Sequence, residues 1–135
     1  MEKENSAKIN SIGLLLVEDD PVTSFFMKKI LSRHYDVLHA SNSTEALSLV
    51  EENTPDVILM DINLGEESLD GVRILKEIRK DKKHDPIKIL AVTSYAFDED
   101  RERFLQEGFD AYIPKPVKQE QLFKEIETVL NLKRI

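Results

Sequence analysis

Leu14-Leu15-Leu16-Val17-Glu18-Asp19-Asp20-Pro21 decides how this chain is read: four consecutive aliphatic residues, then three acids, then a proline. An apolar run this short, without polar alternation, suits a strand covered by helices on both faces. Pro21 fits the first turn of a following helix, with Asp20 as its cap. Glu18 and Asp19 then stand just beyond the carboxyl end of the strand, where open α/β sheets bind their ligands.

The same pattern repeats outward along the chain. Further strands are predicted at Asp36 to His39, Val57 to Met60, Ile87 to Val92 and Ala111 to Ile113. Between them apolar residues recur at helical spacing, each set predicting one buried stripe: Val22, Phe25, Phe26 and Ile30; Ala46, Leu47 and Val50; Ile74, Leu75 and Ile78; Phe104 and Leu105; Leu122, Ile126, Val129 and Leu130. Asn42 with Glu45 has the form of a capping box, and Gly108 that of a helix-ending glycine. Five βα units with right-handed crossovers predict an α/β fold, a doubly wound open parallel sheet. The domain is expected over 12–131, with a polar lead at 1–11 and a short tail at 132–135.

Bulk properties narrow the function. The 135 residues suffice for one core and leave no room for a second domain. With 19 basic against 26 acidic residues the formal charge is −7, which disfavours direct nucleic-acid binding. There is no cysteine, hence no disulfide and no thiolate chemistry. The polar start Met1-Glu2-Lys3-Glu4-Asn5 lacks a signal's apolar core, and no run reaches the roughly 20 apolar residues of a membrane helix, so a cytoplasmic protein is expected.

The polar residues that follow the apolar strands converge in such a sheet. Glu18 and Asp19 end the first, Asp61 the third, Thr93 the fourth, and Lys115 follows the fifth. If strands one and three are neighbours, three carboxylates share one pocket and call for a hard divalent ion, with Mg²⁺ suited to few carboxylates plus water and phosphate oxygen. A carboxylate is itself a nucleophile toward a phosphoryl group when the incoming charge is neutralised. Asp61 is placed to act in that way, with the Thr93 hydroxyl and the Lys115 ammonium as a cradle for phosphoryl oxygens.

Leu14 to Pro21, Asp56-Val57-Ile58-Leu59-Met60-Asp61, Ala91-Val92-Thr93-Ser94 and Tyr112-Ile113-Pro114-Lys115-Pro116 together resemble the receiver domains of two-component response regulators, over about Ile12 to Leu130. The resemblance implies strand order 2-1-3-4-5 and a phosphoacceptor at Asp61. It implies Mg²⁺ held by Asp19, by Asp61, by Glu18 mainly through water, and by the backbone carbonyl of Asn63. Thr93 becomes the switch hydroxyl, Lys115 the phosphate-binding lysine, Tyr112 the aromatic that reports the state, and Lys115–Pro116 a cis bond. The expected partners are a sensor histidine kinase or a histidine phosphotransfer protein and a separate downstream effector, with receiver dimerisation as a further route. The only catalysis implied is of the chain's own phosphorylation and dephosphorylation, so it is a switch and not an enzyme in the ordinary sense. Met1 and the short tail after Leu130 suggest a stand-alone domain.

Plainer readings stand beside these. Asp20 serves equally well as a helix cap, and Tyr112 as a partly buried aromatic. His34, His39 and His84 lack metal-ligand spacing and read as surface or packing residues. An aspartate-based phosphohydrolase would carry a second acid where Asn63 stands, and a P-loop enzyme a glycine-rich run that is missing. An unphosphorylated docking module is the remaining alternative. The Leu64 to Gly71 segment departs from the pattern by two extra residues and by lacking a proline after the acceptor, while Ser94 replaces a smaller residue and Tyr95 is placed to shield a phosphoryl group.

Overall fold

The computed structural model describes residues 12–62, 70–94 and 98–131. Its five parallel strands are β1 (Gly13–Val17), β2 (Asp36–Ala40), β3 (Val57–Asp61), β4 (Lys88–Thr93) and β5 (Ala111–Pro114). They form one sheet in the order β2-β1-β3-β4-β5. The helices are α1 (Pro21–Leu31), α2 (Ser43–Asn53), α3 (Asp70–Arg79), α4 (Asp98–Glu107) and α5 (Gln119–Val129), with a 3₁₀ turn at Lys82–His84.

Successive strand residues point to opposite faces, so each apolar run fills two cores. Leu14, Leu16, Val57 and Leu59 pack with Met27 and Leu31 of α1 and with Leu122 and Ile126 of α5. Leu15, Val17, Ile58 and Met60 pack with Ala46 and Val50 of α2, Ile74, Leu75 and Ile78 of α3, and Phe104 of α4. Each such aliphatic side chain contributes about 1.5–3 kcal/mol over its exposed state. This is why Val57, Ile58, Leu59 and Met60 of β3, the central strand, are all fully buried.

Caps fix where the helices start. The Asp20 carboxylate accepts from the Thr23 N–H at 2.8 Å and Pro21 opens the first turn of α1. Asn42 Oδ1 accepts from the Glu45 N–H at 2.9 Å, while Glu45 reaches back to the N–H of Ser41 at 2.7 Å, one residue before the cap. Gly108 ends α4 with φ +120, a conformation that residues with a Cβ rarely adopt.

Two expected stripes are corrected. Val22, Phe25 and Phe26 are 64, 58 and 58% exposed; α1 instead buries Ser24, Met27 and Leu31. The spacing of the buried set, i, i+3 and i+7, is also helical, so Phe25 and Phe26 fall on the other side of the helix, and the hydroxyl of buried Ser24 is satisfied by donating to Pro21 O at 3.2 Å. On α4, Phe104 is buried but Leu105 is 39% exposed, because one position along a helix is a rotation of about 100°.

Candidate functional site

Register alone brings the acids together. Val17 pairs with Met60, so the next residues, Glu18 and Asp61, leave the sheet side by side. Asp61 pairs with Val92, and Thr93 with Pro114, so Thr93 ends the next strand and Lys115 follows one residue past its partner on the strand after. The chain runs outward from β1 to β2 and returns to β3, which places the topological switch, and its crevice, between Glu18 and Asp61.

Glu18 and Asp61 are buried, at 3 and 4% exposure, as is Thr93; Asp19 is exposed. Glu18, Asp19 and Asp61 each present a carboxylate oxygen such that all three lie within 4.8 Å of one another. The Lys115 ammonium sits 3.3 Å from Asp61 Oδ1 and 3.6 Å from Glu18 Oε1. The Lys115 N–H donates to Thr93 O at 2.8 Å, and the Lys115–Pro116 bond is cis. Glu18 is further held by the Asp20 N–H on Oε2 at 3.1 Å and by a 2.8 Å contact between its carbonyl oxygen and Nε2 of His39.

The electrostatics follow from this crowding. Burial, and then the neighbouring Asp61 carboxylate, pushes the Glu18 carboxyl up from 4.5 to about 7, against the lowering pull of Lys115 and the Asp20 N–H. For Lys115, burial alone would lower the pKa, but the charges of Asp61 and Glu18 outweigh it and the net shift is upward. Three carboxylates facing one ammonium leave negative charge in excess. A hard divalent cation with oxygen ligands relieves that excess, so the donor set fits Mg²⁺.

Tyr112 lies on β5, partly buried, its ring stacked on Phe104 with centroids 6.1 Å apart. Asn63, Tyr95 and the stretch 64–69 lie outside the described residues.

A family model described as response regulator receiver domain matches residues 14–127. The chain belongs to the response regulator receiver family. This receiver domain is 36% identical over 120 residues to the polar-differentiation response regulator DivK of Brucella anthropi, across 88% of this chain and 96% of that one. It resembles the receiver domain of a sensor histidine kinase from Pseudomonas aeruginosa PAO1 at TM-score 0.79 and 32% identity, across 90 and 98% of the two chains; that structure has a magnesium ion coordinated in its active site cleft. A Francisella response regulator receiver domain matches at TM-score 0.79 and 26% identity, across 88 and 96%.

Two features of this receiver domain were not read from sequence. A Cβ on Gly71 would stand 2.8 Å from the carbonyl oxygen of Asp61 and 3.0 Å from the Ile62 Cα, so only glycine lets α3 start against the end of β3. The Gly71 N–H donates to Ile62 O at 3.2 Å across the same contact. The approach of Gly71 to β3 is a tertiary fact. The contact from His39 to the Glu18 carbonyl likewise joins two strand ends that sequence spacing does not relate.

Proposed function

We propose that this receiver domain is a phosphorylation switch that accepts a phosphoryl group on Asp61 from a histidine kinase or histidine phosphotransfer protein, in a Mg²⁺-dependent reaction. One observation carries the reading: three acids from two strand ends meet within 4.8 Å, with an ammonium 3.3 Å from the Asp61 carboxylate. Glu18, Asp19 and Asp61, with the Asn63 carbonyl, are the residues that would hold the ion. When bound it supplies positive charge to phosphoryl oxygens.

The chain's own groups do the rest. A carboxylate oxygen of Asp61 forms the new P–O bond as the P–N bond to the donor imidazole breaks, and the leaving nitrogen takes up a proton as the neutral ring departs. Lys115 compensates charge on one phosphoryl oxygen, and the Thr93 hydroxyl donates to another. Because Thr93 ends β4 and its carbonyl is tied to Lys115, movement of Thr93 toward the acceptor is transmitted to β5, where Tyr112 packs on α4. The output is a changed α4, β5 and α5 surface, read by a separate effector or by a second receiver. The chain catalyses only its own phosphorylation and dephosphorylation, and we place it in the cytoplasm.

The domain proper is taken as residues 12–131. The exposed Val22, Phe25 and Phe26 open α1 directly after the acidic corner, which suits them to receive an apolar helical surface of the phosphodonor beside the acceptor.

The test is incubation with Mg²⁺ and a small-molecule phosphodonor, followed by intact-mass measurement. The expected result is addition of one phosphoryl group that fails in Asp61→Asn and after chelation. An unchanged mass in the parent protein would favour an unphosphorylated docking module instead.

A further inference from the structure

A second cluster of ligating side chains lies at the other pole of the sheet. His84 closes the 3₁₀ turn that leads into the amino end of β4, whereas Asp61 stands at the carboxyl end of β3. Its residue is 3% exposed, and neither ring nitrogen has a hydrogen-bond partner. An imidazole buried in this state carries a desolvation cost that an apolar side chain of the same shape would avoid. The ring is aimed at acids: Nε2 lies 3.8 Å from Glu51 Oε1, and one ligand atom each of Glu51, Asp81 and His84 falls within 4.8 Å of the others. They line a cavity of about 180 Å³ to which Glu77 also contributes.

We propose that Glu51, Asp81 and His84 form a metal site for a borderline divalent ion of the zinc class, separate from the phosphoacceptor pocket. An imidazole lone pair with two carboxylates suits such ions, whereas Mg²⁺ takes oxygen ligands and keeps its waters. Zinc takes nitrogen and carboxylate oxygen at about 2.0–2.2 Å in a tetrahedron, so Glu77 or a water completes the set. Contraction from 4.8 Å falls to the exposed Glu51 and Asp81 side chains, since His84 is held in place. Arg79 Nη1 donates to His84 O at 3.0 Å and Nη2 to Ile87 O at 2.8 Å, which pins the turn. Asp81 Oδ1 accepts from the Lys83 N–H at 3.2 Å and so orients the second carboxylate.

Lys83 identifies what the cluster attracts. Its ammonium lies 2.8 Å from Glu51 Oε2 and 3.8 Å from Asp81 Oδ2, so a positive charge already sits between the two acids, yet it makes no bond to the imidazole. Being 58% exposed, it is able to swing into solvent when a divalent ion enters. Lys83 is therefore a competitor of the metal, and its removal strengthens binding.

The test uses the full chain with excess Mg²⁺ to occupy the acceptor pocket, titrated with Zn²⁺ and followed by calorimetry and by side-chain ¹⁵N–¹H NMR of the histidines. The expected result is one equivalent of Zn²⁺ bound, with the ring nitrogens of His84 shifting and those of His34 unmoved. Glu51→Gln with Asp81→Asn weakens binding by at least about tenfold, Lys83→Met strengthens it, and Asp61→Asn leaves it unchanged. Silent His84 resonances, affinity indifferent to the Glu51 and Asp81 changes, or binding lost in Asp61→Asn would each overturn the proposal. Both altered acids are exposed, so loss of folding does not confuse the outcome.

Discussion

Replacing Glu18 by glutamine should make the metal-free protein more stable at alkaline pH and flatten its stability against pH. Glutamine keeps the shape of the side chain and an acceptor for the Asp20 N–H, but removes the charge that burial and Asp61 oppose. The Glu18 carboxyl rises from 4.5 to about 7 on folding. At about 1.4 kcal/mol per tenfold change in proton affinity, this amounts to about 3 kcal/mol. The folded pKa is the higher one, so the folded state holds the proton more tightly. Its contribution is therefore complete below pH 4.5, declines as pH rises, and is gone above about 7. About 2 kcal/mol of the loss falls between roughly pH 5.5 and 8.5. Urea unfolding of parent and Glu18→Gln in chelator at those two pH values isolates the acidic corner, because titrations of groups remote from Glu18 cancel in the difference. The variant should gain about 2 kcal/mol on the parent across the interval. Mg²⁺ should then reverse the order at the higher pH, since only the parent has the full carboxylate set. Parallel pH profiles for the two proteins would refute the reasoning.

Other consequences follow from single contacts. Gly71→Ala forces a methyl against the Asp61 carbonyl and should cost about 1–3 kcal/mol in urea unfolding, with slower acquisition of the phosphoryl group by mass. Phe25→Ser with Phe26→Ser alters exposed side chains, so melting should shift little while transfer from a cognate histidine phosphodonor slows and labelling by a small-molecule donor does not. Arg79→Ala removes donors to His84 O and Ile87 O and the 3.3 Å pairing with Asp110, whose carboxylate caps the Ile89 N–H; a loss of about 2 kcal/mol is expected by denaturation, with the phosphoacceptor reaction retained.

The strands were legible because residues such as Leu14 to Val17 and Val57 to Met60 are apolar without alternation, which few other structures explain, and their observed ends differ from the reading by about one residue. The acids were legible for the same reason: a charge directly after such a strand has only one end of the sheet to occupy. The inward face of α1 was not. Hydrophobicity singled out Phe25 and Phe26, but a second helical stripe, Ser24, Met27 and Leu31, is the one that packs on the sheet, and a serine in it hid the stripe from a reading by hydrophobicity. The close approach of Gly71 to the end of β3 and the burial of His84 beside Glu51 were not legible either. Both are tertiary contacts, with the Asp61 carbonyl and with Glu51, and no local spacing encodes such an approach.

The most direct test of the central claim is the position of the phosphoryl group itself. Reduction of the freshly phosphorylated protein with borohydride converts an aspartyl phosphate to homoserine, which peptide mass spectrometry then locates. Homoserine at position 61 alone is the predicted result. Homoserine at position 19, or phosphate retained on a hydroxyl or histidine while position 61 is unaltered, would contradict the account.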